Sequence, residues 1–236
     1  MAASGHLRAY LTADLLRRAA EVTGLLPLVT ELLPTSATPG ALGDACNALN
    51  IHPPRDTLTS PVDPLVGIPL FDVGIRPATM VMSRDGTELA RLWVEVGSDN
   101  LAADLGDDPL AVRLALMRHG HAEAVPHAGE HDSASEHASA DGVGSADGVG
   151  SAGEAVALAR WRALVAQWAR SPSGAISREC DDAITRAFAA DLDTATALRA
   201  LTRLADDPDV PDGVKFETFA AADRLLGLDL ARDIGK

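Results

Sequence analysis

The sequence predicts an α/β unit over residues 1–118, a flexible linker over 119–153 and an antiparallel α-helical bundle over 154–236. Three observations carry that expectation. The first half mixes one amphipathic helical pattern with short apolar runs broken by Pro, Gly and Thr. The middle is built from small and polar residues, and the hexamer SADGVG occurs twice in tandem at 139–144 and 145–150. The last third shows four successive stretches of helical periodicity with short connections, the pattern of an antiparallel bundle.

In chain order, the spacing predicts a helix over 9–25. Leu11, Leu15, Leu16 and Ala19 share one face, with Arg17, Arg18 and Glu21 largely opposite. Residues 26–62 read as loop with a short helical piece around "ALGDACNALNI", stopped by Pro53-Pro54. Residues 63–96 read as strands and turns, with Asp85-Gly86 as a turn between "ATMVMSRDG" and "LARLWVEVG". Asp108 is placed to cap a helix that has Pro109 at its first position and runs to Met117. The 119–153 segment buries too little apolar surface to offset its ordering entropy. Beyond it, Leu158, Trp161, Leu164, Val165 and Trp168 mark one core-facing stripe, and Ile176, Cys180, Ile184 and Phe188 mark a second. Asp193-Thr194 signals the start of a third helix, and Phe216, Phe219, Leu225 and Leu226 mark a fourth.

The chain has 236 residues, enough to bury a real core, but aromatic residues make up only 3%. The core therefore falls to Ala, Leu and Val. A net charge of −14 repels phosphate backbones, which disfavours DNA and general nucleic-acid binding. Basic residues are almost all Arg, with Lys only at 215 and 236. Two cysteines, Cys46 and Cys180, are too few for a disulfide framework or a four-Cys zinc site. They read as small buried hydrophobes. "GLLPLVTELLP" is too short and interrupted to span a membrane, and no secretory signal pattern opens the chain, so a cytoplasmic protein is expected.

Three stretches point together: "GHLRAYLTADLLRRAA", "DPLAVRLALMRHGHAE", and "RAFAADLDTATALRALTRLA" followed by "KFETFAAADRLLGLDL". Their order resembles the class I cysteinyl-tRNA synthetases and the related cysteine ligase of mycothiol biosynthesis. "ACNALNIHPP" is similar to the family's short helix ending in a double-proline turn. The resemblance implies a shortened Rossmann-like unit followed by a helical bundle. It also implies a parent chemistry in which the cysteine carboxylate attacks the α-phosphate of ATP before transfer to tRNA or an amine.

The departures from the family pattern bear on that chemistry. The HIGH motif is reduced to Ala3-Ser4-Gly5-His6. The strand with the first zinc cysteine, the acceptor-end insertion and the anticodon module have no counterpart, so neither zinc nor tRNA is expected. Counting back from Pro109, "DGTELARL" falls on the family's DG-x-KMSKS loop, with Glu88 and Arg91 where the lysines stand. A carboxylate there repels the phosphates that the loop must stabilise.

The remnant nucleotide-binding candidates are Gly5, His6 and Arg91, with ATP as the implied ligand. The plain alternatives are an ordinary N-terminal histidine and a solvated strand arginine. His119, His121, His127, His131 and His137 lie among carboxylates but at irregular spacing, which reads as solvated linker rather than a metal site. Asp191 and Asp193 read as a helix end and a cap, and Trp161 and Trp168 as core. The expected function is a synthetase-like paralogue whose cysteine activation is lost or strongly impaired. The alternatives are a non-catalytic protein partner acting through the helical bundle, or a remodelled nucleotide- or amino-acid-binding ligase.

Overall fold

The computed structural model describes residues 7–33, 43–59, 71–77, 90–97, 105, 107–123 and 152–236. Helix α1 (Leu7–Val22) is followed by strand β1 (Thr30–Leu33), helix α2 (Gly43–Ala48) and strand β2 (Asp56–Thr59). Strands β3 (Phe71–Pro77) and β4 (Ala90–Val96) precede helix α3 (Pro109–Met117). Helices α4 (Ala152–Trp168), α5 (Arg178–Ala189), α6 (Thr194–Asp206) and α7 (Asp212–Leu226) complete the described elements. The fold is thus mixed, combining helices with two small parallel strand pairs. No helix among the described residues is long and apolar enough to cross a membrane.

Both strand pairs are parallel. β1 pairs with β2 from Thr30↔Asp56 to Leu33↔Thr59, and β3 pairs with β4 from Phe71↔Ala90 to Pro77↔Val96. A parallel pair needs a crossover, and α2 lies within the one between β1 and β2. The sequence reading left 30–33 and 56–59 as loop. Strands this short, with Thr and Glu among their residues, carry no clear alternation to mark them. The expected Asp85-Gly86 turn lies outside the described residues.

Helix ends follow local rules. α1 stops three residues before the expected end because Gly24 takes φ 85°. Leu25 N–H then reaches Ala20 O at 2.9 Å and Gly24 N–H reaches Glu21 O at 3.0 Å, which is a Schellman closure. α2 ends the same way around Asn50, at φ 53°, with Ile51 N–H donating to Cys46 O at 2.9 Å. Asp108 caps α3 through Leu110 N–H, with Pro109 at the first position. Asp193 caps α6, accepting from Thr196 N–H at 2.9 Å. The expectations for both caps hold.

One apolar cluster runs through the described helices, from Leu7, Leu11 and Leu15 of α1 to Leu226, Leu228 and Leu230 at the C-terminal end. α3 is buried from Leu110 through Met117 on every side. Trp161 and Trp168 are core, as the sequence suggests. Both lie edge-on to Phe219, with ring centroids 5.6 Å and 5.2 Å away. Cys180, Ile184 and Phe188 are buried, whereas Ile176 precedes α5 and stays exposed. Thr194 Oγ1 donates to Met117 O at 2.6 Å, fastening the start of α6 to the end of α3.

Gly213 opens α7 against the 172–174 segment, where an added Cβ would lie 1.9 Å from Pro172 O. Backbone must move to admit it. Gly213→Ala is therefore expected to cost about 1–3 kcal/mol and lower the melting temperature by several degrees, measured by thermal denaturation.

Candidate functional site

The sequence places Asp14 and Arg18 four apart on α1, a spacing that suits an ion pair on one helix face. In the structure that face is not solvated. Asp14 is 2% exposed and Arg18 8%, so Arg18, expected largely opposite the apolar face of α1, is itself buried. The reason is Arg113, the lone charge in the otherwise apolar α3 and itself fully buried. Asp14 Oδ2 accepts from Arg113 Nη2 at 2.8 Å and from Arg18 Nε at 2.7 Å, while Oδ1 accepts from Arg17 Nη2 at 2.8 Å.

The remaining guanidinium donors go to helix ends. Arg113 Nε donates to Leu226 O at 2.6 Å, and its Nη1 donates to Leu49 O at 3.0 Å and Asn50 O at 3.2 Å. Arg18 Nη2 donates to Asn50 O at 2.8 Å, and Asn50 Nδ2 donates to Gly227 O at 2.9 Å. Carbonyls at the C-termini of α2 and α7 have no partner within their helices and carry partial negative charge. Two arginines satisfy both sets at once and bring α1, α2, α3 and α7 to one point.

Charge states follow from this geometry. Burial pushes the Asp14 carboxyl up, but the Arg113 charge and the hydrogen bonds from Arg17 and Arg18 outweigh it and hold it well below the usual carboxylate range. Burial pushes Arg113 down to about 10, partly offset by Asp14, so it stays charged at neutral pH. Asp223 on α7 is pushed up by burial, against the two backbone N–H groups that it accepts, Leu230 at 2.9 Å and Leu228 at 2.8 Å.

Beside this network lies an open cleft of about 530 Å³ between α1, α2 and the end of α7. Arg18, Asn47, Asn50, Asp223, Arg224 and Asp229 line it, over a floor that includes Leu110 and Ala220. Its size falls in the range of small-molecule sites. His52 borders the network, its Nδ1 2.6 Å from Arg17 Nη2 and 3.3 Å from Asp14 Oδ1. The closer guanidinium makes Nδ1 an acceptor, so His52 is not held by Asp14 in the tautomer that a general base needs.

The sequence-predicted site residues are not brought together among the described residues. Gly5, His6 and Glu88 lie outside them, and Arg91 contributes its backbone to β4 while its side chain lies outside the description. Of the linker histidines, His119 approaches Glu123 at 3.9 Å and His121 approaches Asp191 at 3.7 Å, while His127, His131 and His137 lie outside. Among the described residues no group of three or more His, Cys, Asp or Glu could hold a metal ion. Cys46 and Cys180 are buried, and burial pushes both thiols up to about 11, which leaves them unreactive at neutral pH. The sequence reading missed Asp14, Arg113 and Asn50. The signal available was a single Arg inside "PLAVRLALM", where a charge needs a buried partner.

In comparisons with protein-family models, curated proteins and solved structures, nothing matches this chain.

Asp14→Asn removes the counter-charge of a buried guanidinium and is expected to cost about 3–5 kcal/mol in denaturant unfolding at neutral pH. The pH dependence has a definite sign. Asp14 has a depressed folded pKa, so its contribution is complete above the ordinary carboxylate value near about 4 and is lost as pH falls through the lower folded value. Asp223, shifted upward, acts with the opposite sign. Unfolding free energies measured from about pH 5 down to about pH 2 should fall more steeply for the wild type than for Asp14→Asn.

Proposed function

We infer that the chain is a paralogue of the cysteine-activating class I synthetases in which ATP-dependent cysteine activation has been lost or strongly impaired. On this reading the parallel strand pairs belong to a shortened Rossmann-like unit, and α4–α7 form an antiparallel bundle. The observation that carries the loss is the DG-x-KMSKS position, where Glu88 and Arg91 stand in place of two lysines. In the parent chemistry the charge developing on the transferring phosphates needs fixed cations, and a carboxylate at that place raises the barrier. Neither lysine of this chain supplies the deficit. Lys215 is buried on α7, with Nζ donating to Ala205 O at 3.2 Å and lying over the Trp168 ring, and Lys236 ends the chain beside Asp233.

Two features support the ancestry. The "DPLAVRLALM" part of the second stretch forms α3, with Asp108 as its cap and Arg113 as the hub of the buried network. The "DLDT" turn of the third stretch, Asp191 to Thr194, supplies the Asp193 cap and the Thr194 hydroxyl that fastens α6 to α3. The stretches that carry the resemblance thus serve packing roles that survive when chemistry does not. ATP would be a ligand only through the Gly5, His6 and Arg91 remnant, and no zinc or tRNA enters this reading.

The test is cysteine-dependent ATP–pyrophosphate exchange by the purified chain, with calorimetric titration of a non-hydrolysable cysteinyl-adenylate analogue. Exchange at background level is expected. Robust exchange would sink the loss of activity. Tight analogue binding without exchange would mean a retained pocket, because intermediate analogues bind wherever the site survives. No binding at all would direct attention to co-purification with a full-length synthetase.

A further inference from the structure

We propose that the cleft between α1, α2 and the end of α7 binds a small zwitterion, a molecule with one carboxylate and one ammonium group. It lies toward the C-terminal end of α1. Arg18 is roughly 16 Å of helix rise beyond Leu7, the first residue of α1.

The charges of the lining decide the ligand class. Two guanidinium groups, Arg18 and Arg224, face two carboxylates, Asp223 and Asp229. An inorganic anion would meet both carboxylates, a metal cation would meet both arginines, and an apolar molecule would leave charged walls unsolvated. A molecule carrying both signs meets neither penalty.

Internal bonding decides which groups are available. Arg18 is used by Asp14, Asn50 O and Arg224 O, and both Asp223 oxygens accept backbone N–H groups of the 228–230 segment. The Arg224 guanidinium and the Asp229 carboxylate have no hydrogen bond or ion pair among the described residues, and both are exposed at the cleft. Their backbones, by contrast, are held. Arg224 O accepts from Arg18 Nη1 at 3.4 Å, and Asp229 O accepts from Arg162 Nε at 3.1 Å with Asp229 in the left-handed region at φ 52°. Asp adopts that region more readily than most residues, and the bond from Arg162 holds the backbone from which its carboxylate projects. Arg224 takes the ligand carboxylate, Asp229 takes the ammonium group, and the Asn47 side chain borders the same space.

The probes are glycine, β-alanine, 4-aminobutyrate and 6-aminohexanoate, a series of increasing charge separation. Acetate and ethylammonium serve as single-charge controls. Each is titrated calorimetrically into the full chain at neutral pH and low salt. Saturable one-to-one binding is expected for a limited range of lengths, with both controls about tenfold weaker or more. Arg224→Gln and Asp229→Asn should each weaken that binding by about tenfold while leaving the melting temperature unchanged. Both side chains are exposed, and Asn tolerates the left-handed backbone. The proposal is overturned if no member of the series saturates at millimolar concentration. It is equally overturned if wild-type affinity persists in both variants. Either result leaves the reading of lost cysteine activation where the exchange assay puts it, because that assay reads the ATP-handling loop and not this cleft.

Discussion

A guanidinium with no access to water must find an acceptor for nearly every donor it carries, and Arg113 meets that demand with groups from three other elements. Asp14 comes from α1, Leu49 O and Asn50 O from the end of α2, and Leu226 O from the end of α7. Leaving such an ion unpaired costs several kcal/mol, so any arrangement that separates these helices is heavily penalised. Apolar burial alone would hold the helices together without fixing how they meet. The network fixes it, because hydrogen bonds tolerate little error in distance or angle.

A second arginine repeats the device nearby. Arg162 of α4, 1% exposed, pairs with the Asp108 cap of α3 and donates to Leu228 O at 2.9 Å and Asp229 O at 3.1 Å. Asp223 takes N–H groups from the same 228–230 segment. The C-terminal segment is thereby held from both sides, with Leu228 and Leu230 buried beneath it. A planar, always-charged fork suits this work better than an ammonium does, and the chain uses Arg at both hubs. Its buried Lys215 stands where only one carbonyl and an aromatic face need a cation.

The same arrangement separates structural residues from those with capacity to spare. Asp14, Arg18 and Arg113 look like catalytic machinery by type, yet their hydrogen bonds are turned inward. Arg224 and Asp229 are unremarkable by type, yet they are the charged side chains of the cleft with no internal partner among the described residues.

Much of the local structure was legible in the sequence, because its causes are local. The cap at Asp108 with Pro109, the cap at Asp193, the buried stripes of α4 and α5 and the core role of Trp161 and Trp168 follow from spacing and side-chain chemistry within a few residues. The strands at 30–33 and 56–59 were not legible, since a four-residue parallel strand is stabilised by its neighbour and not by its own pattern. Nor was the meeting of Asp14, Arg18, Asn50 and Arg113. Residues 14 and 113 are far apart in the chain, and whether a helical arginine is solvated or buried is decided by which element packs over it. The amino-acid sequence by itself determined where α3 and α6 are capped and which helix faces seek the core. Only the tertiary structure decided which charges are buried in pairs and which are left facing a cleft, because desolvation and pairing depend on all the packed elements together.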